Sequence, residues 1–103
     1  MISVQIVDDH NLFADSFSGT INESKFAHVT GVYYSLKSCR EGLAKQLPDV
    51  ILLDIEMGDG DGIEFCAEIT KTYPALKVIM VTGFREFNIA KHALHNGAHG
   101  YIL

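Results

Sequence analysis

The sequence predicts an α/β domain on a doubly wound parallel sheet. Runs rich in β-branched residues alternate with stretches of helical spacing along the whole chain. One run, "DVILLD" at 49–54, is apolar without interruption up to its last residue, as expected of a strand covered by helices on both faces. Prolines and an Asn-Gly pair fall where the helical stretches end.

The elements follow in order. "ISVQIV" (2–7) is a first strand, and Leu12, Phe13, Phe17 and Ile21 give 11–22 a helical stripe. "AHVTGVYY" (27–34) is a second strand. Residues 35–47 form a helix with Ser35 as its N-cap and Pro48 just beyond its end. Strand three is 49–54. Ile63, Phe65, Cys66 and Ile69 place 61–72 in a helix that Pro74 closes. "KVIMVT" (77–82) is strand four. Residues 86–96 form a helix ended by a left-handed cap at "NG", and "GYIL" (100–103) is strand five. The pattern is (βα)4β in one domain, residues 1–103.

Composition narrows the function. The 103 residues are 48% apolar and carry a net charge of −5. That balance argues against direct nucleic-acid or anionic-membrane binding, which call for a basic patch. No apolar run approaches the roughly 18 residues of a membrane span, and no signal peptide is read at "MISVQIVDDH". Cys39 and Cys66 lack metal or redox spacing and are expected as partly buried free thiols in a reduced, cytoplasmic setting.

In such sheets the ligand site lies at the carboxyl ends of the strands. Asp8 and Asp9 follow the first strand, Asp54 ends the third and Thr82 the fourth. A single Asp after a strand is ordinarily a helix cap. Three carboxylates gathered on one edge are not explained that way, because like charges raise one another's pKa unless a cation is present. Oxygen ligands suit a hard ion, and Mg2+ typically combines one or two carboxylates with waters and phosphate oxygens. Asp54 is placed to act as a nucleophile toward phosphorus, and Thr82 to donate to a phosphoryl oxygen. The loop "DIEMGDGDGIEF" breaks EF-hand spacing in both registers, and neither GxGxxG nor GxxxxGK[ST] occurs. Of the five histidines, His28, His92, His95 and His99 read as solvated side chains. His10 adjoins the acidic pair at the pocket rim.

Taken together, "IVDDH", "DVILLDIEM" with its following "DG", "VIMVTG" and "ALHNGAHGYIL" resemble the receiver domain of two-component response regulators over essentially the whole chain. The "DDH" and "GAHGYIL" segments look most like receivers attached to a helix-turn-helix effector. The resemblance implies a flavodoxin-like sheet ordered 2-1-3-4-5. It implies Asp8 and Asp9 as the Mg2+-handling pair, Asp54 as phosphoacceptor and Glu56 as a metal ligand through its backbone carbonyl. Thr82 and Tyr101 would be switch residues, and Gly62 the glycine of the loop after strand three. The donor would be a sensor histidine kinase and the output control of transcription. Alternatives are a receiver-like interaction module that is not phosphorylated, or a phosphatase-like enzyme using Asp54 with Glu56 as its second acid.

The sequence departs from this family in three places. Gly58 stands where a proline is usual, so the "MGDGDG" loop is expected to be flexible, with Asp59 and Asp61 as extra acids. Phe84 puts a bulky ring at the rim. The family's lysine and last helix would follow Leu103, which implies a chain cut within its domain. Weak switching follows, as does a sheet face without cover that favours marginal stability, a homodimer or a swapped assembly.

Overall fold

The computed structural model describes residues 1–81 and 87–102. Five parallel strands form one sheet: β1 (Ile2–Val7), β2 (Ala27–Tyr33), β3 (Val50–Asp54), β6 (Lys77–Val81) and β7 (Gly100–Ile102). Their order is β2-β1-β3-β6-β7, which is the expected 2-1-3-4-5 with a small hairpin counted between β3 and β6. That hairpin joins β4 (Glu56–Met57) to β5 (Gly60–Asp61), antiparallel. The helices are α1 (Asn11–Glu23), α2 (Leu36–Lys45), α3 (Gly62–Thr72) and α4 (Phe87–His95).

Alternation along the strands divides the core in two. Val7, Ile51 and Leu53 face α2, α3 and α4, together with Leu43, Phe65, Ile69 and Ala93. Val4, Ile6 and Leu52 face α1, against Ala14, Phe17 and Ile21. β3 is therefore buried on both sides, with Ile51 and Leu53 fully enclosed, which accounts for its unbroken apolar run. The α1 face is the more open one. A groove of about 320 Å3 runs along it, lined by Phe13, Ser16, Phe17, Thr20, Val81 and Ile102. Cys39 and Cys66 lie wholly inside, deeper than expected, and are free thiols. Burial pushes their pKa up to about 12 and about 11.

Helix ends match the local chemistry. Ser35 caps α2 by accepting the Ser38 N–H at 3.1 Å. Asp61 caps α3 by accepting the Ile63 N–H at 2.8 Å. Gly97 adopts φ 102°, and the Ala98 N–H reaches back to the Ala93 carbonyl at 3.1 Å, closing α4 with a left-handed turn. His99 is exposed, as expected, but also bonded: its Nδ1 accepts the Val78 N–H at 3.1 Å while its backbone N–H donates to the Val78 carbonyl at 2.7 Å.

The "MGDGDG" segment corrects an expectation. It forms the β4–β5 turn, and its two acids serve as helix caps. Asp59 reaches across to α2 and accepts the Leu36 N–H at 2.9 Å and the Lys37 N–H at 3.1 Å. These bonds to the carboxylate hold its pKa below the usual range. Asp59→Ala is expected to lower the urea midpoint without changing the slope of the transition. Because the folded pKa is depressed, the loss should be present above the ordinary carboxylate pKa and fade as pH falls through the folded value. An unchanged midpoint at neutral pH would show that the cap contributes nothing.

Candidate functional site

Register brings the acids together. Val7 pairs with Leu53 across β1 and β3, so the next residues, Asp8 and Asp54, emerge side by side at the carboxyl edge. Asp8 is 6% exposed and Asp54 8%. Asp9 is half-buried beside them. One oxygen from each of Asp8, Asp9 and Asp54, with a ring nitrogen of His10, lie within 4.8 Å of one another.

The His10 ring stands at the rim of the acids, 72% exposed. The residue occupies the N-cap of α1 but makes no side-chain cap. Asp8 Oδ1 accepts its backbone N–H at 2.8 Å, and this short turn swings the imidazole over the carboxylates. Nδ1 then lies 2.9 Å from Asp8 Oδ1, 3.3 Å from Asp9 Oδ1 and 3.7 Å from Asp54 Oδ2. The bond to Asp8, followed by the charges around it, raises the His10 pKa. The sequence signal was the residue after the acidic pair in "IVDDH".

Asp54 carries the expected strain of crowding. Burial first, then the Asp8 charge, push its pKa up to about 6, against the Glu56 N–H and His10, which lower it. The Glu56 N–H donates to Asp54 Oδ1 at 3.3 Å. The Glu56 side chain is exposed, whereas a phosphatase-like mechanism would want a second acid against the nucleophile. Asp9 Oδ1 is buried and accepts no hydrogen bond. A buried acceptor that makes no hydrogen bond, among carboxylate oxygens with only the His10 ring nitrogen beside it at 3.3 Å, is what a divalent cation fits.

Gly62 fixes the wall behind Asp54. Its N–H donates to the Ile55 carbonyl at 2.8 Å. A Cβ here would fall on the Asp54 carbonyl oxygen and within 2.9 Å of Ile55 Cα. Tyr101 stands on β7 opposite Met80 and packs half-buried against the larger core cluster. Thr82 and Phe84 lie outside the described residues.

A doubly wound sheet ordered 2-1-3-4-5, with carboxylates clustered at its carboxyl edge, defines an α/β domain of the flavodoxin-like class. Within that class the chain belongs to the response regulator receiver domains, whose family model matches residues 4–103. The response regulator protein VraR of Staphylococcus saprophyticus is 35% identical over 102 residues, covering 99% of this chain and 49% of that protein. The chain thus spans about half the length of the curated relatives it matches. Among solved structures, the response regulator domain of Thermotoga maritima CheB superposes with a TM-score of 0.90 at 33% identity, covering 99% of this chain and 77% of that one. The signal receiver domain of the putative response regulator NarL from Mycobacterium tuberculosis gives 0.92 at 29% identity, covering 99% and 82%. Among the described residues no helix is long and apolar enough to cross a membrane.

Proposed function

We propose that residues 1–103 act as one phosphoacceptor unit, in which Asp54 receives a phosphoryl group from the phosphohistidine of a sensor histidine kinase in the cytoplasm. The observation that carries this is the convergence of Asp8, Asp9 and Asp54 on one edge, with Asp54 central and its pKa raised to about 6. A carboxylate oxygen of Asp54 forms the new P–O bond as the donor's P–N bond breaks, and the imidazole leaves with the electron pair. Asp8, Asp9, Asp54 and the Glu56 backbone carbonyl would hold Mg2+, and neutralisation of phosphoryl charge is what that ion supplies when bound. The Glu56 N–H orients the Asp54 carboxyl. The Thr82 hydroxyl and the Tyr101 ring would then relay the new charge to an output surface. In a longer protein that output would be control of transcription, as suits the relatives. The net charge of −5 gives this segment no evident DNA-binding face of its own.

Incubation with acetyl phosphate and Mg2+, followed by intact mass measurement, tests the proposal. The unaltered chain should gain one phosphoryl group and Asp54→Asn none. Equal gain in both, or gain in neither, overturns the assignment.

Self-association through the α1 face, as a homodimer or swapped assembly, is a second part of the proposal. The open groove beside Phe13 and Phe17, with Leu12 87% exposed next to it, supports it. Gel filtration should show a concentration-dependent shift toward dimer. A monomer at every loading concentration would rule it out.

A further inference from the structure

We propose that His10 is a nitrogen donor to the acidic pocket, which lets that pocket take borderline transition cations such as Co2+ and Zn2+ through mixed imidazole and carboxylate coordination. This rests on the reading of the pocket as a divalent-cation site and adds to it which cations it prefers. A pocket lined by oxygens alone suits Mg2+, Ca2+ or Mn2+, whereas an imidazole shifts preference toward Zn2+, Ni2+ and Co2+.

Three observations place His10 in that role. Its Nδ1 faces all three carboxylates at once, at 2.9, 3.3 and 3.7 Å. Ligand atoms that share one ion at about 2.0–2.2 Å lie roughly 3–4 Å from each other. The His10 distances fall in or close to that band, so a cation can enter with small adjustments. Second, the residue does not spend its side chain on capping α1. Its backbone N–H is tied instead to Asp8 Oδ1 at 2.8 Å, which holds the ring toward the pocket. Third, Asp9 Oδ1 is buried without a hydrogen-bond donor, and Nδ1 is the polar atom facing it at 3.3 Å. The ring is otherwise 72% exposed, so it can turn without disturbing the core.

Coordination through Nδ1 requires that the proton it shares with Asp8 Oδ1 at 2.9 Å leave to solvent, the ring then keeping its one proton on Nε2. The acid pair and Asp54 bind a hard cation through oxygen whether or not His10 takes part. His10 therefore discriminates among cations and is not needed for Mg2+.

The test uses the chain after chelator treatment, with Co2+ and Mg2+ as probes. His92 and His95 are exposed on α4, so both are changed to Gln in every sample to remove a competing site. Co2+ binding is followed by visible absorption and Mg2+ binding by calorimetry. His10→Gln is expected to weaken Co2+ on the order of 10–100-fold, the scale of lost metal-site partners, and to leave Mg2+ bound at least as tightly, because Gln removes a cation that competes for the same carboxylates. The His10 ring resonances should broaden selectively with Co2+ in the parent. Co2+ affinity and spectrum unchanged by His10→Gln overturn the proposal. Asp8→Asn judges the underlying reading separately: it should weaken both cations, and Mg2+ binding that survives it would count against the pocket as a cation site without bearing on the His10 comparison.

Discussion

Gly62→Ala should cost the domain about 3 kcal/mol or more, at the upper end of what overpacking does. The added methyl would meet backbone rather than a mobile side chain: the Asp54 carbonyl oxygen and Ile55 Cα. Neither can yield without moving the end of β3. The same shift would strain the Gly62 N–H bond to the Ile55 carbonyl at 2.8 Å, which sets the start of α3. With total stability of a small domain near 5–15 kcal/mol, the loss is a large share. Gly19→Ala is the matched control. It lies in α1 with nothing within 4 Å of its would-be Cβ, so it should stabilise by about 0.5–1 kcal/mol through helix propensity alone. Urea unfolding of both variants checks the pair. If the two glycines behave alike, close packing behind Asp54 is not what position 62 provides.

Asp54→Asn should stabilise the domain at pH 7.5 in the absence of divalent cations. Asp54 has a folded pKa near 6 against an ordinary value of about 3.9. Between those values the folded state binds more protons than the unfolded one, so stability falls as pH rises through this window and the full penalty is present above it. A shift of that size corresponds to roughly 3 kcal/mol before screening is counted. Solvent screening at this edge of the sheet brings the expected gain to about 1–3 kcal/mol. The gain should shrink toward zero by pH 4, where the native carboxyl is already neutral. Saturating Mg2+ should reverse the ranking, since a ligand held only by the folded parent stabilises it by about 2.7 kcal/mol at a hundredfold excess over Kd. Thermal or urea unfolding across pH, with chelator and with Mg2+, reads all three effects. A variant no more stable than the parent at pH 7.5 would mean that neither burial nor the neighbouring acids penalise the ionised Asp54 carboxyl.

Much of this was legible in the sequence because it depends on short-range chemistry. The apolar run of β3 announces burial on both faces, and "NG" announces a left-handed cap. Ser35 sits where a capping oxygen belongs. The meeting of Asp8 with Asp54 was also legible, since parallel strands that end in acids must present them at one edge. What escaped depends on distant partners. Asp59 caps a helix that begins more than twenty residues earlier in the chain, and no local pattern marks such a reach. The β4–β5 hairpin has two residues per strand, too few for alternation to show. The place of His10 beside the acids was legible, but not that its Nδ1 meets all three carboxylates. The shift in register between Val4 and Gln5 against β2 likewise reflects how two strands meet rather than either one's composition.

The two enclosed thiols have a practical consequence. With both wholly buried and their pKa raised by burial, alkylating reagents at neutral pH meet almost no thiolate. A single cysteine introduced at an exposed position such as Leu94 would therefore be the one reactive handle on the folded chain. A fluorophore or spin label attached there could report on α4 during cation binding or phosphoryl transfer, with both native cysteines left in place.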